Sequence, residues 1–333
     1  MLSVEETLAL ANMNPEFEMK SSQINIGGWN KDTDINQMRV MMAKFRETEL
    51  AAQPDSSTLP FVEQDIRITT RDAATITIRI HKPRDVPDDG CPAMIVFHGG
   101  GFVIGGLGDE APLCQLFTTL GGIAVNVDYR LAPEHPFPTP VNDCFDAVKW
   151  TIENAKSLGI NLQKGFLLGG VSAGADLALG VAYLCGKEKL APPVTGVYTA
   201  VSGAATLETI PEKYRDLFLS PKQNAFAPIL DAETIKFISD KYKPDPKSPV
   251  AYPIASPDLR DIPKTYFQAC GLDPLRDCTL IMEQVWRDAG IQTKLDIYPG
   301  LPHGFWDVFP QADFSKKHKR DCRAGLEWLL SRE

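Results

Sequence analysis

No run of eighteen apolar residues occurs in the 333-residue chain, which excludes a transmembrane helix. No C-x-x-C pair occurs among the seven cysteines, Cys91, Cys114, Cys144, Cys185, Cys270, Cys278 and Cys322. Their odd number and scattered spacing argue against both a zinc site and a disulfide framework, and a reducing compartment fits. Positive charge is in deficit: 34 Lys and Arg face 43 Asp and Glu, a net charge of -9. Nucleic acid and anionic membrane are therefore poor partners, since both need clustered cations. The short run Lys316-Lys317-His318-Lys319-Arg320 reads as a solvated helix face. Near the N-terminus, Glu5, Glu6, Glu16 and Glu18 leave apolar runs too short for a secretory leader, so the cytosol is the expected location. Internal repeats and low-complexity tracts are lacking as well.

What is present is an alternation of buried strands and helices. Ser3-Val4-Glu5-Glu6 has the form of a capping box, so a short helix should start there and end before Pro15. Asp34 is a natural N-cap for a helix reaching about Ala52, with Met38, Met41, Met42 and Phe45 at helical spacing as core-packing residues. Alternating polar and apolar residues over Asp65–Thr70 and Thr75–Ile80 predict a β-hairpin. Beyond it, Ala93–Phe97, Gly122–Val127, Phe166–Val171, Val194–Val201 and Thr265–Ala269 are apolar, Lys294–Tyr298 alternates, and helical-length segments separate several of them. Such strands belong to a mostly parallel sheet covered on both faces, the α/β class. The irregular insert from about Leu207 to Pro249, with the N-terminal helices, is the expected cap over the sheet's C-terminal edge, where ligands bind in such folds. The whole chain reads as one domain, with about 1–55 and about 207–250 forming the cap.

Three loops carry chemistry. Gly170-Val171-Ser172-Ala173-Gly174 follows a buried strand and opens an Ala/Leu-rich helix, the strand–turn–helix context of a nucleophile elbow. His98-Gly99-Gly100-Gly101-Phe102 follows another core strand, and three bare glycines can turn backbone N–H groups toward an anion. Asp273 and Asp277 lie just after a third strand, and His303 follows the last one in a Gly/Pro-rich loop. A serine hydroxyl is a weak nucleophile until an imidazole takes its proton, and a carboxylate must then orient the imidazole. Ser172, then an acid, then His303 is the order that this architecture uses. His81, His135 and His318 have weaker claims: they fall at a hairpin end, in a proline-rich loop and in an exposed basic run.

These motifs, with Asp128-Tyr129-Arg130-Leu131-Ala132-Pro133-Glu134, Asp273-Pro274-Leu275-Arg276-Asp277 and His303-Gly304-Phe305, make the chain resemble the hormone-sensitive-lipase-like, or third, group of α/β-hydrolases from about Pro92 to Phe305. The resemblance implies a serine carboxylesterase with Ser172 as nucleophile, His303 as base and Asp273 as orienting acid. It also implies Gly100, Gly101 and Ala173 as oxyanion donors, with His98, Gly99, Tyr129 and Asp277 in support. No metal or organic cofactor is implied. A small-molecule ester is the expected partner, short-chain or aryl in preference to a long triglyceride, and a homodimer is an assembly found in related folds. The chain departs from many relatives at Val171, Ala175, Asp176 and Cys278, where an acid, Gly, Asn and Glu are common. The other readings are cleavage of a lactone, amide or carbamate, deacetylation of a secondary metabolite, or ligand binding without catalysis. A plant hormone receptor similar to these enzymes has lost the triad histidine, and here His303 is present.

Overall fold

The computed structural model describes residues 2–22, 28–51 and 59–331. Eight strands form one sheet: β1 (Phe61–Thr69), β2 (Thr75–Pro83), β3 (Ala93–Phe97), β4 (Ile123–Asp128), β5 (Phe166–Val171), β6 (Gly196–Ala200), β7 (Lys264–Leu272) and β8 (Thr293–Pro302). Their spatial order is β1-β2-β4-β3-β5-β6-β7-β8. The first two strands are the predicted hairpin, antiparallel to each other, and β2 also pairs antiparallel with β4. From β4 to β8 every pairing is parallel. Parallel strands place their C-terminal ends along one edge, so the loops after β3, β5, β7 and β8 gather there.

The apolar runs are continuous because both faces of the sheet are covered. In β3, Ala93, Ile95 and Phe97 enter one core while Met94 and Val96 enter the other, as a side-chain period of two requires. The helices are α1 (Val4–Ala9), α2 (Pro15–Ser21), α3 (Ile35–Ala51), α4 (Ala111–Thr119), α5 (Thr139–Leu158), α6 (Ala173–Lys187), α7 (Ser220–Gln223), α8 (Ala232–Tyr242), α9 (Arg276–Asp288), α10 (Phe305–Val308) and α11 (Asp313–Leu330). Helices α5, α6 and α9 supply Val148, Leu177 and Trp286 to the first core; α4 and α11 supply Phe117 and Leu326 to the second. Among the described residues, no helix is long and apolar enough to cross a membrane.

The capping box at Ser3 and Glu6 is formed, and Asp34 Oδ1 accepts from the amides of Asn36 and Gln37 at the start of α3. Of the methionine stripe, Met38 and Met42 pack on the core, whereas Met41 is 65% exposed. The covered row is that of Met38 and Met42, one turn apart, while Val40 and Met41 lie together on the exposed side. Phe45 lies outside the side chains described. The basic run on α11 is solvated except at its centre: His318 is buried and stacked on Trp306 at 4.0 Å, because its neighbours occupy the outer face of the helix. Burial holds its pKa down, at about 3, so it is a neutral core residue. His81 is also buried, with Nδ1 3.0 Å from Glu63.

The insert that sequence left irregular contains α7 and α8. Asp231 caps α8 by accepting from Thr234 N–H at 2.7 Å. Thr234 Oγ1 in turn accepts from the Trp29 amide at 2.7 Å, tying the insert to the N-terminal segment. Arg39 on α3 donates to the carbonyls of Val103 and Ala132 and pairs with Glu134, anchoring α3 beside the glycine loop.

Candidate active site

Ser172 sits where β5 turns into α6, with φ 54° and ψ -121°. A β-carbon penalises that conformation, so the surroundings must impose it. They do so by close packing: a β-carbon on Gly170 would lie 2.4 Å from Gly174, and one on Gly174 would lie 2.0 Å from the Phe97 carbonyl oxygen. Only glycine lets the end of β5, the first turn of α6 and the end of β3 approach so closely. The Ser172 amide donates to Ala200 O at 2.8 Å, which fixes the turn against β6.

Three distant loops then meet. Ser172 Oγ donates to His303 Nε2 at 2.9 Å, and His303 Nδ1 donates to Asp273 Oδ2 at 2.8 Å. Asp273 is fully buried, and its other oxygen accepts from the Leu275 amide at 2.8 Å. The imidazole is thus held in the tautomer whose Nε2 can receive a proton from the hydroxyl. Asp277 points elsewhere: it is paired with Arg276 at 2.7 Å and accepts from the amides of Leu219 and Ser220 in the insert. The carboxylate beside the histidine is therefore that of Asp273, and Asp277 ties the insert to the acid loop.

The glycine loop lies alongside. Gly100 and Gly101 have φ +104° and +60°, and a β-carbon on Gly100 would meet Ile104 O at 2.3 Å. The Gly100 carbonyl accepts from the amides of Val103 and Ile104, whereas the amides of Gly100 and Gly101 donate to no group among the described residues. Ala173 is the first residue of α6, where a backbone N–H has no intrahelical acceptor. Behind the loop, Tyr129 donates its hydroxyl to His98 O at 2.7 Å and stacks on the His98 ring at 4.1 Å. His98 Nδ1 donates to Gly99 O at 2.7 Å.

Sequence reasoning passed over Glu110. Half-buried at the start of α4, it accepts the Gly99 amide at 3.1 Å, so it holds the glycine loop from behind. Burial, reinforced by nearby Asp307, pushes its pKa up to about 8, so it is protonated at neutral pH. No motif marks it, because the loop between Gly101 and α4 has no periodicity. Arg276 was passed over too: besides Asp277, its guanidinium donates to Gln223 and to Gly271 O.

Beside Ser172 opens a cavity of about 310 Å³. Its walls come from the glycine loop (Phe102), α6 (Leu177), the insert (Phe218, Ile238, Tyr242) and α9 (Cys278). Apolar atoms dominate them, as in most small-molecule sites. Hydroxyl, imidazole, carboxylate and bare amides beside an apolar cavity can together attack a carbonyl and hold the resulting oxyanion.

Residues 94–307 match the family described as the alpha/beta hydrolase fold. The chain is a hormone-sensitive-lipase-like α/β-hydrolase. It is 36% identical over 305 residues to an AB hydrolase superfamily protein of Schizosaccharomyces pombe, covering 90% of this chain and 88% of that one. It is 35% identical to the versiconal hemiacetal acetate esterase of Dothistroma septosporum, covering 82% and 83% of the two chains. Among solved structures it is similar to vibralactone cyclase, with a TM-score of 0.88, 26% identity, and 97% and 96% of the chains covered. The α/β-hydrolase is thus a carboxylesterase-type enzyme.

Proposed function

We propose that this enzyme cleaves small carboxylic esters through an acyl-enzyme intermediate on Ser172. One observation carries the reading: the unbroken hydrogen-bond line from Ser172 Oγ through His303 to Asp273. Ser172 Oγ attacks the ester carbonyl carbon while His303 Nε2 takes the hydroxyl proton. The carbonyl oxygen becomes an oxyanion, received by the amides of Gly100, Gly101 and Ala173. Collapse breaks the bond to the alcohol oxygen, which leaves with the proton from His303. Water, deprotonated by the same imidazole, then attacks the acyl group; the acid departs and Ser172 recovers its proton. Asp273 keeps Nδ1 occupied and balances the imidazolium charge. No metal or organic cofactor enters this cycle.

Substrate size follows from the cavity. Its volume and apolar walls suit a short acyl chain or an aryl group better than a triglyceride. The insert over about 207–250 and the N-terminal segment over about 1–55 are the cap in this reading, the insert supplying Phe218, Ile238 and Tyr242 to the cavity. Likeness to an enzyme named as an acetate esterase supports acetate esters of small metabolites as one substrate group. Lactone chemistry is a second reading, favoured by the likeness to vibralactone cyclase.

A series of p-nitrophenyl esters, from acetate to decanoate, tests the reading against the Ser172→Ala enzyme. Turnover should peak at acetate or butyrate and fall by about 10^4-fold or more in the variant. A decanoate optimum would overturn the size argument, and full activity in the variant would overturn the mechanism.

A further inference from the structure

The cavity holds one acid that the hydrolytic cycle does not use. Asp176 lies one helical turn after Ser172 on α6, and its amide donates to Ser172 O at 3.1 Å. Its carboxyl is in the cavity wall, only partly covered, among otherwise apolar and aromatic groups. Ser202 Oγ and the Gly203 amide donate to its Oδ1 at 2.7 and 2.8 Å, and the backbone of Ala204 also hydrogen-bonds the carboxyl. Among the described residues, no lysine or arginine lines the cavity. An acid in an apolar wall without a countercharge costs free energy when ionised. A ligand that brings the missing positive charge removes part of that cost.

The walls suit such a ligand. Phe102, Phe218, Tyr242 and Tyr252 all line the cavity, and Phe102 stacks on Tyr242 at 3.7 Å. Aromatic rings around a carboxylate make a site for an alkylammonium group, whose methyl groups need apolar contact and whose charge needs an anion or a ring face.

We propose that Asp176, with the surrounding aromatic residues, is a recognition site for a cationic alkylammonium group, and that the enzyme accepts esters bearing one. This rests on the cavity being the ester-binding site. Recognition is pH-dependent. Burial pushes the Asp176 pKa up to about 7, opposed by its hydrogen bonds to Ser202, Gly203 and Ala204 and by nearby His303. The other titratable groups facing it are Tyr242 on α8, Tyr252 after it and Cys278 on α9, all held protonated at neutral pH by burial. Below about pH 7 the carboxyl is neutral and the cation gains little; above it the carboxylate attracts the cation.

Choline and 3,3-dimethylbutan-1-ol have the same shape and differ by one charge. Calorimetric titration of the intact enzyme with each, at pH 6.0 and pH 8.5, gives the ratio of their affinities without requiring turnover. The ratio should shift toward choline by about tenfold on raising the pH, the scale of one partly desolvated charge contact. In Asp176→Asn it should stay constant. Comparing acetylcholine with 3,3-dimethylbutyl acetate as substrates should reproduce the shift in kcat/KM, since any loss of active enzyme with pH is common to both esters and cancels in the ratio. A pH-independent ratio in the wild-type enzyme overturns the proposal, as does a shift that survives in Asp176→Asn. Labelling of Ser172 by a fluorophosphonate is a separate readout: if it fails while choline binding shifts, the esterase mechanism falls and the cation site stands.

Discussion

Glu110 illustrates how a single half-buried carboxyl couples the glycine loop to pH. Its folded pKa, about 8, lies above the value of 4.5 of an unperturbed glutamate. The folded protein therefore retains a proton that the unfolded chain has lost between those values. Stability from this group is complete below about pH 4.5 and is lost as pH rises through about 8; Asp176, with its pKa of about 7, acts with the same sign. Glu110→Gln keeps an acceptor for the Gly99 amide and cannot ionise. Thermal unfolding should show the wild type losing several degrees more than this variant between pH 6 and pH 9, about 1–3 kcal/mol. Equal losses would mean that Glu110 is solvated or paired when charged. Neither raised pKa was legible in the sequence. Glu110 follows Asp109 in a glycine-rich loop, and Asp176 was marked only as a departure from similar enzymes, with no surroundings to shift it. A raised pKa depends on surroundings assembled from distant segments, such as the insert and α9 that close the cavity over Asp176 and the helix bearing Asp307 beside Glu110.

At the scale of elements, strands and motif loops were legible and the insert was not. A β-strand in a covered parallel sheet announces itself by a continuous apolar run, and a glycine pair such as Gly170 and Gly174 announces a tight turn. Helix α8 carries its apolar residues at Ile235, Phe237 and Ile238 among charges, too few to stand out beside several prolines. What holds the insert is long-range: Asp277 accepts two amides of the 219–220 turn, and Ser220 Oγ accepts the Asp277 amide while donating to Pro274 O. Asp277 could not be chosen over Asp273 by sequence because only four residues separate them, and only the fold leaves Asp273 in the loop facing the histidine while Asp277 enters α9. Asp277→Asn should leave the Arg276 charge buried without its partner, at a cost of about 3–5 kcal/mol. Chemical denaturation should register that loss, and KM should rise more than kcat falls because the cavity wall loosens while Asp273 keeps its contacts. A drop in kcat alone, with stability unchanged, would contradict this division of labour between the two acids.

Across the whole molecule, one sheet with two cores acts as a rigid frame on which separate loops are brought to a common edge. Phe97 and Val96 show the arrangement within two residues, one facing each core, and the glycine loop begins immediately after them. Because β3, β5, β7 and β8 run in the same direction, the donors, the hydroxyl, the carboxylate and the imidazole converge although 131 residues separate Ser172 from His303. The order of these groups along the chain was legible, since each follows an apolar strand; their distances depend on strand register and on packing that no local pattern encodes. The most direct measurement is mass spectrometry of the enzyme quenched in acid during turnover of p-nitrophenyl acetate. One acetyl group on the peptide containing Ser172, chased away by further incubation and absent in His303→Ala, is the predicted result. An enzyme that turns over the ester with no acetyl on Ser172 at any time, or with the acetyl on another residue, would contradict it.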